Sequence, residues 1–143
     1  MILIVDTNEV ISSLIKDSFR REILLNPKHR FYTPGFTLDE IDEHLDEIVG
    51  KTSLSKENVK QLLDKLLENI SVVEMEEYMG KLKDAQEIIG GIDEDDVPFI
   101  ALALSVQNDG IWSGDDHFLK QDRVKICSNP MSLVPYNNQI TKS

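Results

Sequence analysis

The chain has 143 residues and a formal net charge of −11, from 26 acidic and 15 basic residues. Its hydrophobic fraction of 41% excludes an intrinsically disordered chain, and no apolar run approaches the ~18 residues that a membrane-spanning helix needs. One cysteine excludes an internal disulfide, and because no signal peptide pattern precedes the first apolar run we expect a cytoplasmic protein.

The first third of the chain predicts strand, helix and strand. Residues 1–5 (MILIV) are apolar on both faces, as expected of a central parallel strand that helices cover on both sides. A helix follows and ends at Asn26-Pro27. Its apolar side carries Val10, Leu14 and Phe19. The second strand, at 30–35, ends at a Pro-Gly pair.

The middle of the chain predicts two helices and a third strand. A helix over 36–50 carries its apolar side chains along one side. The next helix begins with Ser55 as its N-cap, because Leu54 and Val59 have the N′ and N4 spacing of a hydrophobic staple. Residues 69–75 then predict a strand.

The last part of the chain predicts two more helices and two short strands. A helix over 78–91 ends at a glycine pair. A buried helix over 97–107 follows, and Pro98 in its first turn places the N-cap near Asp95. The short strands lie at 110–113 and 124–127.

This alternation predicts the fold class α/β. We expect one domain over residues 1–135, built as a three-layer α/β/α sandwich around a central parallel sheet of four to five strands. Residues 136–143 are expected to form a loose tail.

Acidic residues follow two of the predicted strands and open one predicted helix. Asp6 comes directly after the first strand, Asp115 lies just past the strand at 110–113, and the run DEDD occupies 93–96. Ligands of parallel sheets bind beyond the carboxyl ends of the strands, so these acids could meet at one edge. Each could instead cap a helix, with Asp95 as the expected cap of the Pro98 helix.

Convergence of Asp6, Asp96 and Asp115 would require a cation, because three neighbouring carboxylates repel one another. Oxygen ligands select a hard ion, which predicts Mg²⁺ or Mn²⁺. The three histidines and the cysteine are scattered along the chain, which argues against a zinc site.

Four stretches in this order resemble the PIN domain family of metal-dependent ribonucleases, which includes the toxins of many bacterial and archaeal toxin–antitoxin pairs. They are VDTN (5–8), TLDEI (37–41), DEDDVPFIALAL (93–104) and IWSGDDHF (111–118). The last two stretches are the most specific, and they look closest to a subgroup of the family with DVPF-ALAL and WS-x-D motifs. The resemblance extends over residues 1–127.

The resemblance implies a parallel sheet between helices, a cleft lined by acids, and hydrolysis of RNA phosphodiester bonds. The implied catalytic residues are Asp6, Glu40, Asp96 and Asp115. Asp6, Asp96 and Asp115 would bind Mg²⁺ or Mn²⁺. The implied auxiliary residues are Thr7, Asn8, Asp93 and Ser113. An antitoxin protein is the implied partner. Of the four catalytic residues, Glu40 matches the family pattern least well, because it falls away from the apolar side of its helix.

Several alternatives stay open at this level. The N-terminal stretch also resembles a receiver domain, although Asp6 is followed by Thr7 where that domain needs a second acid. An aspartyl-nucleophile phosphatase needs an acid where Asn8 stands. A PIN-type fold kept for binding alone would suit the charge of −11, which repels RNA. His117 is expected at an exposed helix end rather than in a proton relay. The leucine-rich helix at 55–67 is expected in the core, although it could serve a homodimer.

Overall fold

Five parallel strands form one sheet within residues 1–128, the part of the chain that the computed structural model describes. The strands are β1 (Ile2–Val5), β2 (Arg30–Pro34), β3 (Ile70–Val73), β4 (Ile111–Trp112) and β5 (Ile126–Cys127). Their spatial order is β3-β2-β1-β4-β5, so the apolar N-terminal strand lies at the centre, as predicted. A receiver domain has the order 2-1-3-4-5, and this sheet therefore excludes that alternative.

Eight α-helices connect the strands in residues 1–128. They are α1 (Thr7–Ile15), α2 (Phe19–Leu25), α3 (Phe36–Glu43), α4 (Leu45–Gly50), α5 (Lys56–Leu67), α6 (Met75–Tyr78), α7 (Leu82–Ala85) and α8 (Val97–Ser105). None of them combines the length and the apolar composition that crossing a bilayer requires.

Two hydrophobic clusters lie on opposite faces of the sheet and make the predicted three layers. Leu3 and Val5 of β1 point into a cluster formed with α1 to α5, whereas Ile4 points into a second cluster formed with α6 to α8. All three side chains are completely buried. Because successive strand residues face opposite sides, a central strand covered on both faces has no polar position, which explains the sequence ILIV of β1.

The predicted helix after β1 is two helices, α1 and α2. At 100° per residue, Phe19 would lie about 180° from Val10 on a continuous helix, so the two could not share one buried side. The break at Lys16 to Ser18 resolves this conflict: Ile23 and Leu24 are buried, while Phe19 is 41% exposed. The stripe predicted through Phe19 was therefore wrong.

Two other predicted helices are also interrupted. The helix over 36–50 is divided at His44 into α3 and α4. The segment over 78–91 is a series of short turns: 3₁₀ at Met79–Lys81, then α7, then π at Gln86–Gly90. Glycines at 80 and 90 lower its helix propensity. The helix after Ser55 is as predicted, since the Ser55 side chain accepts a hydrogen bond from the Asn58 amide. The predicted domain end at residue 135 and the tail at 136–143 lie outside the described residues.

Candidate active site

The carboxyl ends of β1 and β4 lie side by side at the centre of the sheet. Val5 pairs with Trp112 in parallel register, so the residues that follow them, Asp6 and Ser113, emerge together. The chain proceeds from β1 to β2 on one side and later returns to β4 on the other, which makes this edge the switch point of the sheet. Ligands of open parallel sheets bind at this position.

Asp6 and Ser113 are joined by a short hydrogen bond. The Ser113 hydroxyl donates to Asp6 Oδ2 over 2.7 Å, and both side chains are buried. Asp6 occupies the N-cap position of α1, but its side chain makes no capping hydrogen bond. The Asn8 amide in the first turn still lowers the pKa of Asp6, so Asp6 lies at a helix end and also faces Ser113.

Ser113 also anchors the loop that carries Asp115. The Asp115 amide donates to the Ser113 hydroxyl oxygen over 3.0 Å. Asp115 Oδ1 accepts from the His117 amide over 2.9 Å and so begins the 3₁₀ turn Asp116–Lys120. Asp115 thus caps a turn, as one alternative expected, and still faces the other acids.

The acidic run before α8 forms a 3₁₀ turn at Glu94–Asp96. Asp93 Oδ1 accepts from the Asp95 amide over 2.9 Å, so Asp93 is the capping residue. The predicted cap, Asp95, was wrong, because the additional turn moves the start of the helical segment two residues toward the N-terminus. Asp96 stands at the N-cap position of α8 and makes no capping hydrogen bond with its side chain.

Four side chains converge here: Asp93, Asp96, Asp115 and His117. One potential ligand atom of each lies within 4.8 Å of those of the other three. His117 Nδ1 is 2.9 Å from Asp93 Oδ2, 3.5 Å from Asp115 Oδ1 and 3.8 Å from Asp96 Oδ2. The His117 side chain is 42% exposed, yet its ring nitrogen faces the acids. We call these four residues the acidic cluster, and Asp6 borders it.

Burial raises the pKa of Asp6 to about 6, and the charges of Glu9 and Asp115 add to this effect. The Ser113 hydroxyl opposes it, because its hydrogen bond favours the charged carboxylate. Asp6 is only 6% exposed, so water screens its charge little.

Burial likewise raises the pKa of Asp96 to about 7, followed by repulsion from Asp93, Asp115 and Asp6. His117 acts in the opposite direction. Asp96 Oδ2 is buried and has no hydrogen-bond partner among the described residues. Most buried polar atoms have a partner, so this oxygen indicates that another group belongs next to it.

These residues fit a hard divalent cation. They offer several carboxylate oxygens in one place, they include no Lys or Arg, and one buried oxygen has no hydrogen-bond partner in the described part of the chain. A divalent charge would relieve the repulsion that raises both pKa values. The single imidazole departs from the predicted all-oxygen ligand set.

The other predicted residues lie around this centre. Glu40, in α3, is exposed and lies outside the acidic cluster. Loss of part of the water around its carboxylate, together with the charge of Asp95, still raises its pKa. Asn8 is exposed on the first turn of α1. Thr7 is buried, with its hydroxyl 2.9 Å from that of Thr37. The roles assigned to these three residues by resemblance stay predictions.

Glu9 was missed by the sequence analysis. It is buried, accepts from the Gly114 amide over 3.0 Å, and pairs with Arg20 Nε at 2.7 Å. It therefore connects α1 and α2 to the loop between Ser113 and Asp115. The available signal was its position three residues after Asp6, which places both acids on the same side of the first helical turn.

Comparisons with known proteins agree with this architecture. A model of the PIN domain matches residues 4–126. Among solved structures, the fold is similar to that in the crystal structure of VapBC2 from Rickettsia felis bound to a DNA fragment from their promoter. The TM-score is 0.61 at 19% sequence identity, covering 89% of this chain and 98% of that one. No curated protein matches the sequence. Since the PIN model matches most of the chain, the protein belongs to the PIN domain family.

Proposed function

We propose that the protein is an endoribonuclease that hydrolyses RNA phosphodiester bonds and depends on Mg²⁺ or Mn²⁺. The observation that carries the proposal is that the charges of Asp6 and Asp115 act on Asp96 at the switch point, where a buried Asp96 oxygen has no hydrogen-bond partner within residues 1–128. PIN family membership supports the nuclease assignment.

Asp6, Asp96 and Asp115 would hold the cation, with Asp93 as an auxiliary acid. The bound ion would supply positive charge beside the scissile phosphate and lower the pKa of a nearby water. Ser113 fixes the Asp6 carboxylate by donating to Oδ2, and the same hydroxyl fixes the Asp115 backbone. These contacts hold two ligands in place before substrate arrives, as metal catalysis requires.

A position near the substrate for Glu40 is part of the proposal. Its helix, α3, begins just beyond the carboxyl end of β2, and the charge of Asp95 reaches it. Because β2 and β4 flank β1, we propose that Glu40 and Asp115 approach the phosphate from opposite sides of β1.

A toxin role with a protein antitoxin is the second part of the proposal. It is supported by the similarity in fold to VapBC2, a complex bound to promoter DNA. A small basic or DNA-binding protein encoded beside this one would be the natural candidate, because it would also offset the charge of −11. We further propose a single domain over 1–135 and a homodimer, for which the leucine-rich α5 could serve in addition to its place in the core.

An RNA cleavage assay tests the nuclease. Labelled RNA is incubated with the wild type in Mg²⁺, Mn²⁺ or EDTA, and compared with Asp6→Asn, Asp96→Asn and the control Asp64→Asn. Asp64 is exposed on α5, so the control changes the net charge equally without entering the site. We expect EDTA to abolish cleavage and both site variants to lose at least about 100-fold, the scale of loss caused by misplaced reacting groups.

Metal-dependent cleavage that persists in both site variants would refute the assignment. If the wild type binds Mn²⁺ or RNA but never cleaves, the binding-module alternative replaces the nuclease. The high negative charge favours that alternative, because RNA is a polyanion.

A further inference from the structure

His117 places the one nitrogen donor of the acidic cluster among three carboxylates. Its Nδ1 lies 2.9, 3.5 and 3.8 Å from oxygens of Asp93, Asp115 and Asp96. Donor atoms around one octahedral ion at ~2.1 Å are separated by roughly 3.0 to 4.2 Å. The three distances from Nδ1 thus match a common coordination sphere, and all four donor atoms lie within 4.8 Å of one another.

The Asp96 side chain provides an independent indication of a ligand at this point. It is 92% buried, and its Oδ2 has no hydrogen-bond partner among residues 1–128. That oxygen is the same atom that lies 3.8 Å from His117 Nδ1. The unpartnered acceptor therefore faces the space that the imidazole nitrogen also faces.

Neighbouring contacts hold the imidazole in this position. The His117 amide donates to Asp115 Oδ1, and the adjacent Phe118 is fully buried. The Phe118 ring packs edge-on against Phe99 of α8, with centroids 6.2 Å apart. Since Phe99 lies three residues after Asp96, this contact fixes the turn carrying His117 against the helix that carries the unpartnered carboxylate.

We propose that His117 is a metal ligand through Nδ1 and that it makes the centre prefer Mn²⁺ to Mg²⁺. Mn²⁺ binds carboxylates as Mg²⁺ does, but as a first-row transition-metal ion it accepts an imidazole nitrogen more readily, whereas Mg²⁺ prefers oxygen ligands and retains its waters. Without a metal, Nδ1–H donates to Asp93 Oδ2 over 2.9 Å; a bound ion would replace this hydrogen bond, with the ring proton on Nε2 and the Nδ1 lone pair on the metal. The inference rests on the proposed function for its divalent centre, and it specifies the preference of that centre.

The test measures metal binding directly. Calorimetric titrations with Mn²⁺ and with Mg²⁺ compare the wild type, His117→Gln, His117→Asp and the control His44→Gln. His44 is an exposed imidazole whose Nδ1 lies 3.5 Å from Glu47, far from the cluster in sequence. Pulsed electron paramagnetic resonance of the Mn²⁺-loaded protein then detects whether an imidazole nitrogen is bound to the ion.

We expect nitrogen coupling in the wild type and in His44→Gln, and its loss in His117→Gln. Mn²⁺ affinity should fall at least about tenfold in His117→Gln, the loss typical even of an outer-shell partner. Mg²⁺ affinity should change much less. His117→Asp restores an oxygen ligand, so it should bind both ions with a lower preference for Mn²⁺.

The proposed His117 ligand and the proposed nuclease can fail independently of each other. Mn²⁺ bound without nitrogen coupling, or tighter binding of both ions in His117→Gln, would show that His117 is a counter-ion that a metal displaces. The nuclease would then stand if RNA is still cleaved. Nitrogen coupling without RNA cleavage would leave the ligand intact and refute the nuclease. If neither ion binds, both proposals fail.

Discussion

At the residue scale, the site depends on carboxylates that the fold holds in unfavourable surroundings. Asp6 and Asp96 are each 6% exposed, and both carry raised pKa values. One oxygen of Asp6 has the Ser113 hydroxyl, whereas Asp96 Oδ2 has no partner among the described residues. Burying a carboxylate without a partner for its charge costs free energy of folding. Such unfavourable groups are found mainly at functional sites.

Ser113→Ala should destabilise the metal-free protein by about 1–3 kcal/mol, because the Asp6 carboxylate and the Asp115 amide both lose their partner. It should also raise the pKa of Asp6 further, since the Ser113 hydroxyl lowers it. Denaturant unfolding in EDTA measures the first effect. The control is Ser105→Ala, which removes a hydroxyl that donates to the Ala101 carbonyl within α8 and should cost little stability. Equal losses in the two variants would contradict the special role of Ser113.

At the scale of elements, two residues of β4 place the loop that carries Asp115. Ile111 and Trp112 pair with β1 on one side and with β5 on the other. The strand is preceded by Gly110, which has φ +138°, a conformation that favours glycine. An added Cβ there would lie 2.8 Å from the backbone oxygen of Lys125, in the segment leading into β5.

Gly110→Ala should therefore lower the free energy of unfolding. Backbone strain alone costs about 1–3 kcal/mol, and the clash with the Lys125 carbonyl adds to it. Because β4 would shift, Mn²⁺ affinity should fall as well. Gly50→Ala, at the end of α4, meets nothing within 4 Å and should be neutral or slightly stabilising. Thermal unfolding of both variants checks the difference, and similar melting temperatures would refute the assigned strain.

At the scale of the whole molecule, stability and metal binding are linked through charge. The net charge of −11 disfavours a compact state, and the acidic cluster concentrates part of it at one edge of the sheet. Any cation that binds only the folded form stabilises it by mass action. The cluster is therefore a place where metal, pH and folding are coupled.

The metal-free protein should lose stability as the pH rises from about 4 to about 7. In the folded state Asp6 and Asp96 have pKa values of about 6 and about 7, above the ordinary 3.8. The folded form therefore binds more protons in this window, and the free energy of unfolding falls as those protons are released. The contribution is fully present below the unfolded pKa and is lost above the folded one.

Unfolding of the wild type and of Asp96→Asn in EDTA across this range isolates the effect. An amide cannot ionise, so the variant should gain on the order of 2–4 kcal/mol relative to the wild type between pH 4 and pH 8. Asp64→Asn controls for the change in net charge. Saturating Mn²⁺ should stabilise the wild type at pH 8 and not Asp96→Asn. A constant difference between wild type and Asp96→Asn across the pH range would contradict the raised pKa.

Much of this protein could be predicted from the chain alone. The alternation of apolar strands and helices predicts the three layers, because each local pattern selects an element with a matching buried face. The acids that follow β1 and β4, and the run at 93–96, indicate where a cation site would form, because parallel strands end at the same edge. The N-cap at Ser55 was also predictable, since capping depends on residues a few positions apart.

Tertiary packing alone decided which side chains complete the site. Asp93 and His117 meet across 24 positions, and Glu9 and Gly114 across 105. Nothing in the sequence near His117 distinguishes an exposed imidazole from one that faces three acids. Local backbone preferences act over a few residues, whereas these contacts depend on how the helices pack against the sheet. The interrupted helices have the same cause, because they follow the faces that the finished core can bury.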